Sequence, residues 1–163
     1  SYTATIQRYA SEYGIPEYVS VIQAIMMQES GGRGTDPMQS SECPYNTRYP
    51  NSPGAIQDPE YSIQVGIQYY ADCLREAGCT SPQDMDRLKL SLQGYNYGNG
   101  YITWALRNYG GYSEANALLF SQQQAASHGC LPMGIQNMWL MCFGTILVEI
   151  HLRLCLVMVR WCL

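Results

Sequence analysis

Over most of this chain the apolar residues recur at helical intervals, and the breaks between them carry helix-start and helix-stop chemistry. In "IPEYVSVIQAIMMQES", Tyr18, Ile22, Ile25 and Glu29 are spaced by four, three and four. That spacing puts them on one face of a helix, which Pro16 is well suited to start. The next pattern, "DPEYSIQVGIQYYADCLREAG", opens on Asp58 as a cap with Pro59 behind it and stops at Gly78. A third, "SPQDMDRLKLSLQGYN", begins at Ser81 with Asp84 three residues on, the spacing of a capping box. "SEANALLFSQQQAAS" from Ser113 is the fourth. Strand signals are weak, and there is no internal repeat or low-complexity linker. The pattern predicts an all-α domain with one long Pro- and Gly-containing loop between the first two helices, roughly residues 31–57. Loops of that length in compact domains usually carry function or short structure of their own.

The first helix ends on a carboxylate. Glu29 leaves it from the face that its neighbours bury, at the negative end of the helix dipole. Both burial and the dipole disfavour ionisation, which is what a general acid requires. The other reading is an ordinary C-terminal Glu turned to water. Gly31, Gly32 and Gly34 follow, and their backbone freedom allows Asp36 to fold back toward Glu29, giving two carboxylates in one cleft. Carboxylates in unequal environments are the usual equipment of glycoside cleavage. Further along, "GYNYGNGYITW" gathers Tyr95, Asn96, Tyr97, Tyr101 and Trp104 around three glycines. Such a set suits either a sugar-binding groove or a tight turn between helices with core aromatics.

Composition narrows the field. The chain has 163 residues, one domain by length, and a net charge of −4. Its single lysine is Lys89, so the clustered cations of a nucleic-acid binder are missing. Fourteen tyrosines offer flat faces with hydroxyls, suited to sugars or to covering a surface poor in charge. The seven cysteines are an odd number, none is spaced CxxC, and only two histidines exist, which argues against a structural zinc site. Cys73 and Cys79 form one candidate disulfide across a helix end. The first residues are polar and unlike a secretory leader, which leaves secretion open.

"QESGG", "DPMQSSE", "SIQVGIQYYADCL" and "LQGYNYGNGYI", in this order and spacing, resemble the lysozyme-like domain of the CwlT-type cell-wall hydrolases of Gram-positive conjugative elements. These belong to the lytic-transglycosylase and goose-type-lysozyme superfamily, and the likeness runs from about Thr3 to Ala126. The resemblance implies a helical lysozyme fold acting on the β-1,4 bond between N-acetylmuramic acid and N-acetylglucosamine, as a muramidase or as a transglycosylase. Glu29 matches the catalytic acid and Asp36 the second-acid position. Ser30, Met38, Gln39, Tyr95, Asn96 and Tyr97 fall in the motifs of the substrate cleft, Met38–Gln39 in "MQ" and Tyr95–Asn96 in "YN". No metal or organic cofactor is implied. The expected partner is the peptidoglycan glycan strand, met by a monomer outside the cell or at its wall, with a role in opening the wall during conjugation. Such proteins often continue into a cysteine peptidase domain, to which no segment here corresponds. A wall-binding module without activity is the alternative from another class.

Residues 1–128 thus read as the lysozyme-like domain and 129–163 as an atypical tail. From Gly129 onward Tyr, Asp and Lys disappear while Cys130, Cys142, Cys155 and Cys162 crowd in. Glu149, His151 and Arg153 interrupt the apolar run before the ~18 residues of a membrane span accumulate. The family's domain closes with a segment like "YGDPEYVAHVLRYY". Reading the codons of Pro132 to Ile146 from their third base obliges Gly at Met133–Gly134, and Val at both Met138–Trp139 and Met141–Cys142. Every other position permits the family residue. The expectation is a frameshift near His128 to Leu131, with the tail an out-of-frame translation.

Overall fold

The computed structural model describes residues 1–127, and the tail with its expected frameshift lies outside them. Those residues form six helices and no strand. In chain order they are α1 (Thr3–Glu12), α2 (Val19–Ser30), α3 (Pro59–Ala77), α4 (Met85–Tyr97), α5 (Gly100–Tyr109) and α6 (Glu114–Ser127). Pro16–Tyr18 form a single 3-10 turn that runs into α2.

The predicted face of α2 is the one that packs. Tyr18, Ile22 and Ile25 are buried, and the helix stops at Gly31, whose φ of 65° is a left-handed cap. The start of α3 also follows the expectation, with the Asp58 carboxylate accepting from the Glu60 and Tyr61 amides at 3.0 and 3.2 Å. Gly78 closes it with φ 66°. Buried residues cover most of α3, from Tyr61, Ile63 and Ile67 to Tyr70 and Leu74, leaving a polar stripe at Glu60, Gln64, Gln68 and Asp72, as befits a central helix. It packs against α1, α4 and α5.

Three expectations need correction. The helix expected from Ser81, α4, starts at Met85, because Asp84 itself caps it by accepting from the Arg87 amide at 3.2 Å, while the Ser81 hydroxyl is engaged by Gln83. Cys73 and Cys79 are free thiols. Cys73 faces the neighbouring helix at Gly94, whereas Cys79, beyond the end of α3, has its sulfur 3.6 Å from the Tyr18 hydroxyl. Finally, α1 and α5 are helices that the pattern did not predict. On α1 only Ile6, Tyr9 and Ala10 are buried, too short an apolar stripe to stand out. α5 is bordered by Gly98 and Gly110, both at positive φ, so its sequence resembles a turn.

The long loop is pinned rather than loose. Asn46 donates to the carbonyls of Ser41 and Tyr49 at 2.6 and 3.1 Å, and the Tyr61 hydroxyl on α3 accepts from the Thr47 amide at 3.0 Å. Among the described residues no helix is long and apolar enough to cross a membrane.

Candidate active site

Glu29 sits in the last turn of α2, half-buried. Burial, with the charge of Asp36 adding to it, pushes its carboxyl from the ordinary 4.5 up to about 7. The helix C-terminus works in the same direction. This side chain can hold a proton near neutrality and give it up to a suitably placed base or leaving group.

The turn after Glu29 is fastened by Ser30. Its hydroxyl donates to the Pro37 carbonyl at 2.8 Å and accepts from the amides of Gly32 and Arg33 at 3.0 and 3.2 Å. Those bonds bring residues 35–40 back alongside the end of α2. Ser30 therefore shapes the loop.

Asp36 is buried, and its carboxylate is saturated with donors. Oδ1 accepts from the Ser40 amide at 2.9 Å and the Ser62 hydroxyl at 2.6 Å. Oδ2 accepts from the Ser41 amide at 3.2 Å and the Ser41 hydroxyl at 2.5 Å. A carboxylate offers about four lone-pair sites, and all four are occupied. No cation pairs with it: the ion pairs among the described residues are Arg8–Glu60 and Arg75–Asp72.

Met38 is wholly buried, so its backbone rather than its side chain serves the site. Its carbonyl accepts from the Tyr95 hydroxyl at 2.9 Å, and its amide donates to Ser62 Oγ at 3.1 Å. The loop can approach this closely because position 66 of α3 is glycine. A Cβ there would lie 2.8 Å from Met38 Cβ and 3.1 Å from the Tyr95 hydroxyl. Next to Met38, Gln39 is exposed and holds φ at 48°, the one non-glycine residue at positive φ among those described. A long side chain pays to adopt that conformation, and such strain concentrates at functional sites. Its amide nitrogen donates to the Asp36 carbonyl at 2.9 Å.

From α4, Tyr95 brings its ring against Tyr69 and Tyr70, with centroids 5.5 and 6.0 Å apart. Burial first, and Glu29 next, hold its phenol well above the usual range, so it remains a neutral donor. Asn96 is half-buried in the last turn of α4. The Tyr97 ring packs on Tyr101 and Phe120 at 5.9 and 6.1 Å, toward α5 and α6. Tyr101 is a core aromatic with no exposure, its hydroxyl donating to Asn116 at 2.6 Å. Thus Glu29, Asp36, the Met38 backbone, Gln39 and Tyr95 converge, while half-buried Tyr97 also packs toward α5 and α6 and Tyr101 belongs to the core.

Sequence reasoning missed Ser40, Ser41, Ser62 and Gly66. For Gly66 the signal was a lone glycine inside a helical pattern, which marks close approach. Among the described residues no group of three or more His, Cys, Asp or Glu side chains is placed to hold a metal.

A helical domain with a protonatable glutamate at a helix end, over a pinned loop and a tyrosine, has the form of a lysozyme-type domain. The family described as "Lysozyme-like" matches residues 1–137, and the chain belongs to that family. It is 40% identical over 128 residues to the bifunctional muramidase/DL-endopeptidase CwlT of Bacillus subtilis strain 168, covering 78% of this chain and 35% of CwlT. To the uncharacterized membrane protein YocA of the same strain it is 33% identical over 123 residues, covering 76% of this chain and 51% of YocA. A crystal structure from Staphylococcus aureus subsp. aureus Mu50, described as similar to lipoprotein of the NLP/P60 family, superposes with a TM-score of 0.67 at 31% identity. That match covers 88% of this chain and 44% of the other. The chain thus spans about a third to a half of the relatives it matches.

Proposed function

We propose that this domain is a cell-wall hydrolase that cleaves peptidoglycan glycan strands, an N-acetylmuramidase acting on the β-1,4 bond between N-acetylmuramic acid and N-acetylglucosamine. The observation that carries the reading is the Glu29 carboxyl, held protonated near neutrality where the loop and α4 meet. As general acid it protonates the departing glycosidic oxygen while positive charge develops at the sugar carbon. Support also comes from the likeness to CwlT, a muramidase by name. Gln39, Tyr95, Asn96 and Tyr97 are assigned to holding the glycan, with Ser30 and Met38 shaping the loop behind it. The partner is the glycan strand, met as a monomer at the wall or outside the cell.

In the hydrolytic reading Asp36 is the second carboxylate. A second reading, a lytic transglycosylase, is favoured by the donors already filling its lone pairs. A carboxylate so engaged is poorly placed to attack carbon or activate water. The muramic acid's own hydroxyl then closes the ring to a 1,6-anhydro product.

The test is digestion of purified peptidoglycan, with products identified by mass spectrometry, alongside the Glu29→Gln variant. Reducing-end muropeptides support hydrolysis and 1,6-anhydro ends the transglycosylase. Glu29→Gln should lose activity by ~10²- to 10⁴-fold. Lysis that survives it removes Glu29 from the acid role. Wall binding without cleavage by the unmutated protein makes the domain a binding module.

A further inference from the structure

The Ser62 hydroxyl has no exposure and is a single point where three parts of the site meet. It donates to Asp36 Oδ1 at 2.6 Å and accepts from the Met38 amide at 3.1 Å. The Ser62 carbonyl, one peptide unit away, accepts from the Ser40 hydroxyl at 2.9 Å. The Asp36–Ser40 turn is thereby docked onto α3 through one residue, next to Gly66, which lets the turn come close. Ser41 closes the far side, donating to Asp36 and accepting from the Ile56 amide at 3.0 Å.

Resting on the glycan-cleaving reading above, we propose that Ser62 is a positioning residue of this site: its hydroxyl fixes the Asp36 carboxylate and the Met38 amide together, and so sets the charge and the loop geometry that Glu29 experiences. Ser62 lies in the first turn of the most buried helix with no exposure, and a hydroxyl is costly to bury unless bonded. Here both its donor and its acceptor capacity are used across the loop, in bonds that serve the turn and not the helix. The consequence for Glu29 is electrostatic, because a like charge held at a fixed place favours the protonated acid.

The groups facing the pair are few. Tyr95 comes from α4 with its hydroxyl on the Met38 carbonyl, and Cys43 from the loop with its thiol on the Val65 carbonyl; burial raises both, so each is neutral near pH 7. Arg33 lies over Gly31 in the turn after Glu29. α3 turns Ser62 and Gly66 toward the loop.

The experiment compares Ser62→Ala, Asp36→Asn and their combination in the full chain. Ser91→Ala serves as control, since Ser91 is an equally buried serine whose bonds run to Tyr70 and Leu88. Two quantities are read: the alkaline limb of the pH–rate profile on peptidoglycan, and the titration of the Glu29 side-chain carboxyl by carbon NMR. Ser62→Ala should move both to lower pH by ~0.5 unit or more, because Asp36 is no longer held in place. The shift should vanish when Ser62→Ala is made on top of Asp36→Asn, and Ser91→Ala should show none. Loss of stability with an unmoved Glu29 titration, matching Ser91→Ala, would overturn the proposal. Where Ser62→Ala does not fold, Ser62→Cys, of similar size but a weak donor, is read in its place. The NMR titration needs no turnover. A chain that cleaves no glycan therefore sinks the functional reading, while the Glu29 titration still decides whether Ser62 positions Asp36.

Discussion

Glu29→Gln should make the folded protein more stable in alkaline solution, and the size of the effect follows from where the carboxyl sits. Its value is about 7 in the folded chain against an ordinary 4.5. Between those limits the unfolded chain has released a proton that the folded chain still binds. Stability therefore falls as pH rises through this window and levels off above it. The full displacement corresponds to about 3 kcal/mol, and solvent screening of a half-buried side chain trims this to about 2 kcal/mol. Glutamine has the same shape and no proton to lose, so the variant lacks this slope. Urea unfolding of both proteins at pH 4, 6 and 8 is the assay. The curves should coincide near pH 4 and diverge by about 2 kcal/mol at pH 8, a rise in melting temperature of ~5–10 °C for the variant. Curves that run parallel across this range would refute the reasoning, because they would mean that Glu29 titrates alike in both states.

Three other expectations follow. Gln39→Gly should relieve the positive φ and gain ~1 kcal/mol in urea unfolding while slowing glycan cleavage; a destabilised variant would mean the side chain, not the backbone, governs that position. Gly66→Ala should cost ~1–3 kcal/mol, because its Cβ meets Met38 at 2.8 Å, and should weaken cleavage beyond what its lowered stability explains. If stability and activity fall in step, the glycine is only a packing site. The nucleotide sequence across codons 125–146 should contain a single-base shift that restores "YGDPEYVAHV"; the frameshift reading is abandoned if no such shift exists.

Legibility in the sequence followed how local each determinant is. α2 and α3 announced themselves because their caps act within four residues: Pro16 ahead of the one, Asp58 and Gly78 at the ends of the other. Ser113 marked α6 in the same way, accepting from the Asn116 amide at 3.1 Å. Glu29 was readable because its face is set by the neighbours it shares a helix with. α1 and α5 were missed because each is only ten residues long and no side-chain cap marks its start.

The loop's contribution was half visible. The glycines after Glu29 allowed a return of the chain, and Ser30 and Gly31 do turn it back. What captures the returning loop could not be read there, because the captors lie 22 to 57 residues further on, at Ser62 and Tyr95. Within α3, Gly66 is a poor choice by helix propensity, and Ser62 in the first turn buries a polar hydroxyl. They make sense only once the loop is laid on top, where the glycine makes room for Met38 and the serine holds Asp36. Local rules are expected to fail where a chain gives up helix stability for a site, and α3 departs from them at two of the positions the loop touches. The same reasoning gives Asp36 its place. The spacing brought it toward Glu29, but its chemical character depends on four donors, and the Ser62 hydroxyl comes from a helix that begins 23 residues later.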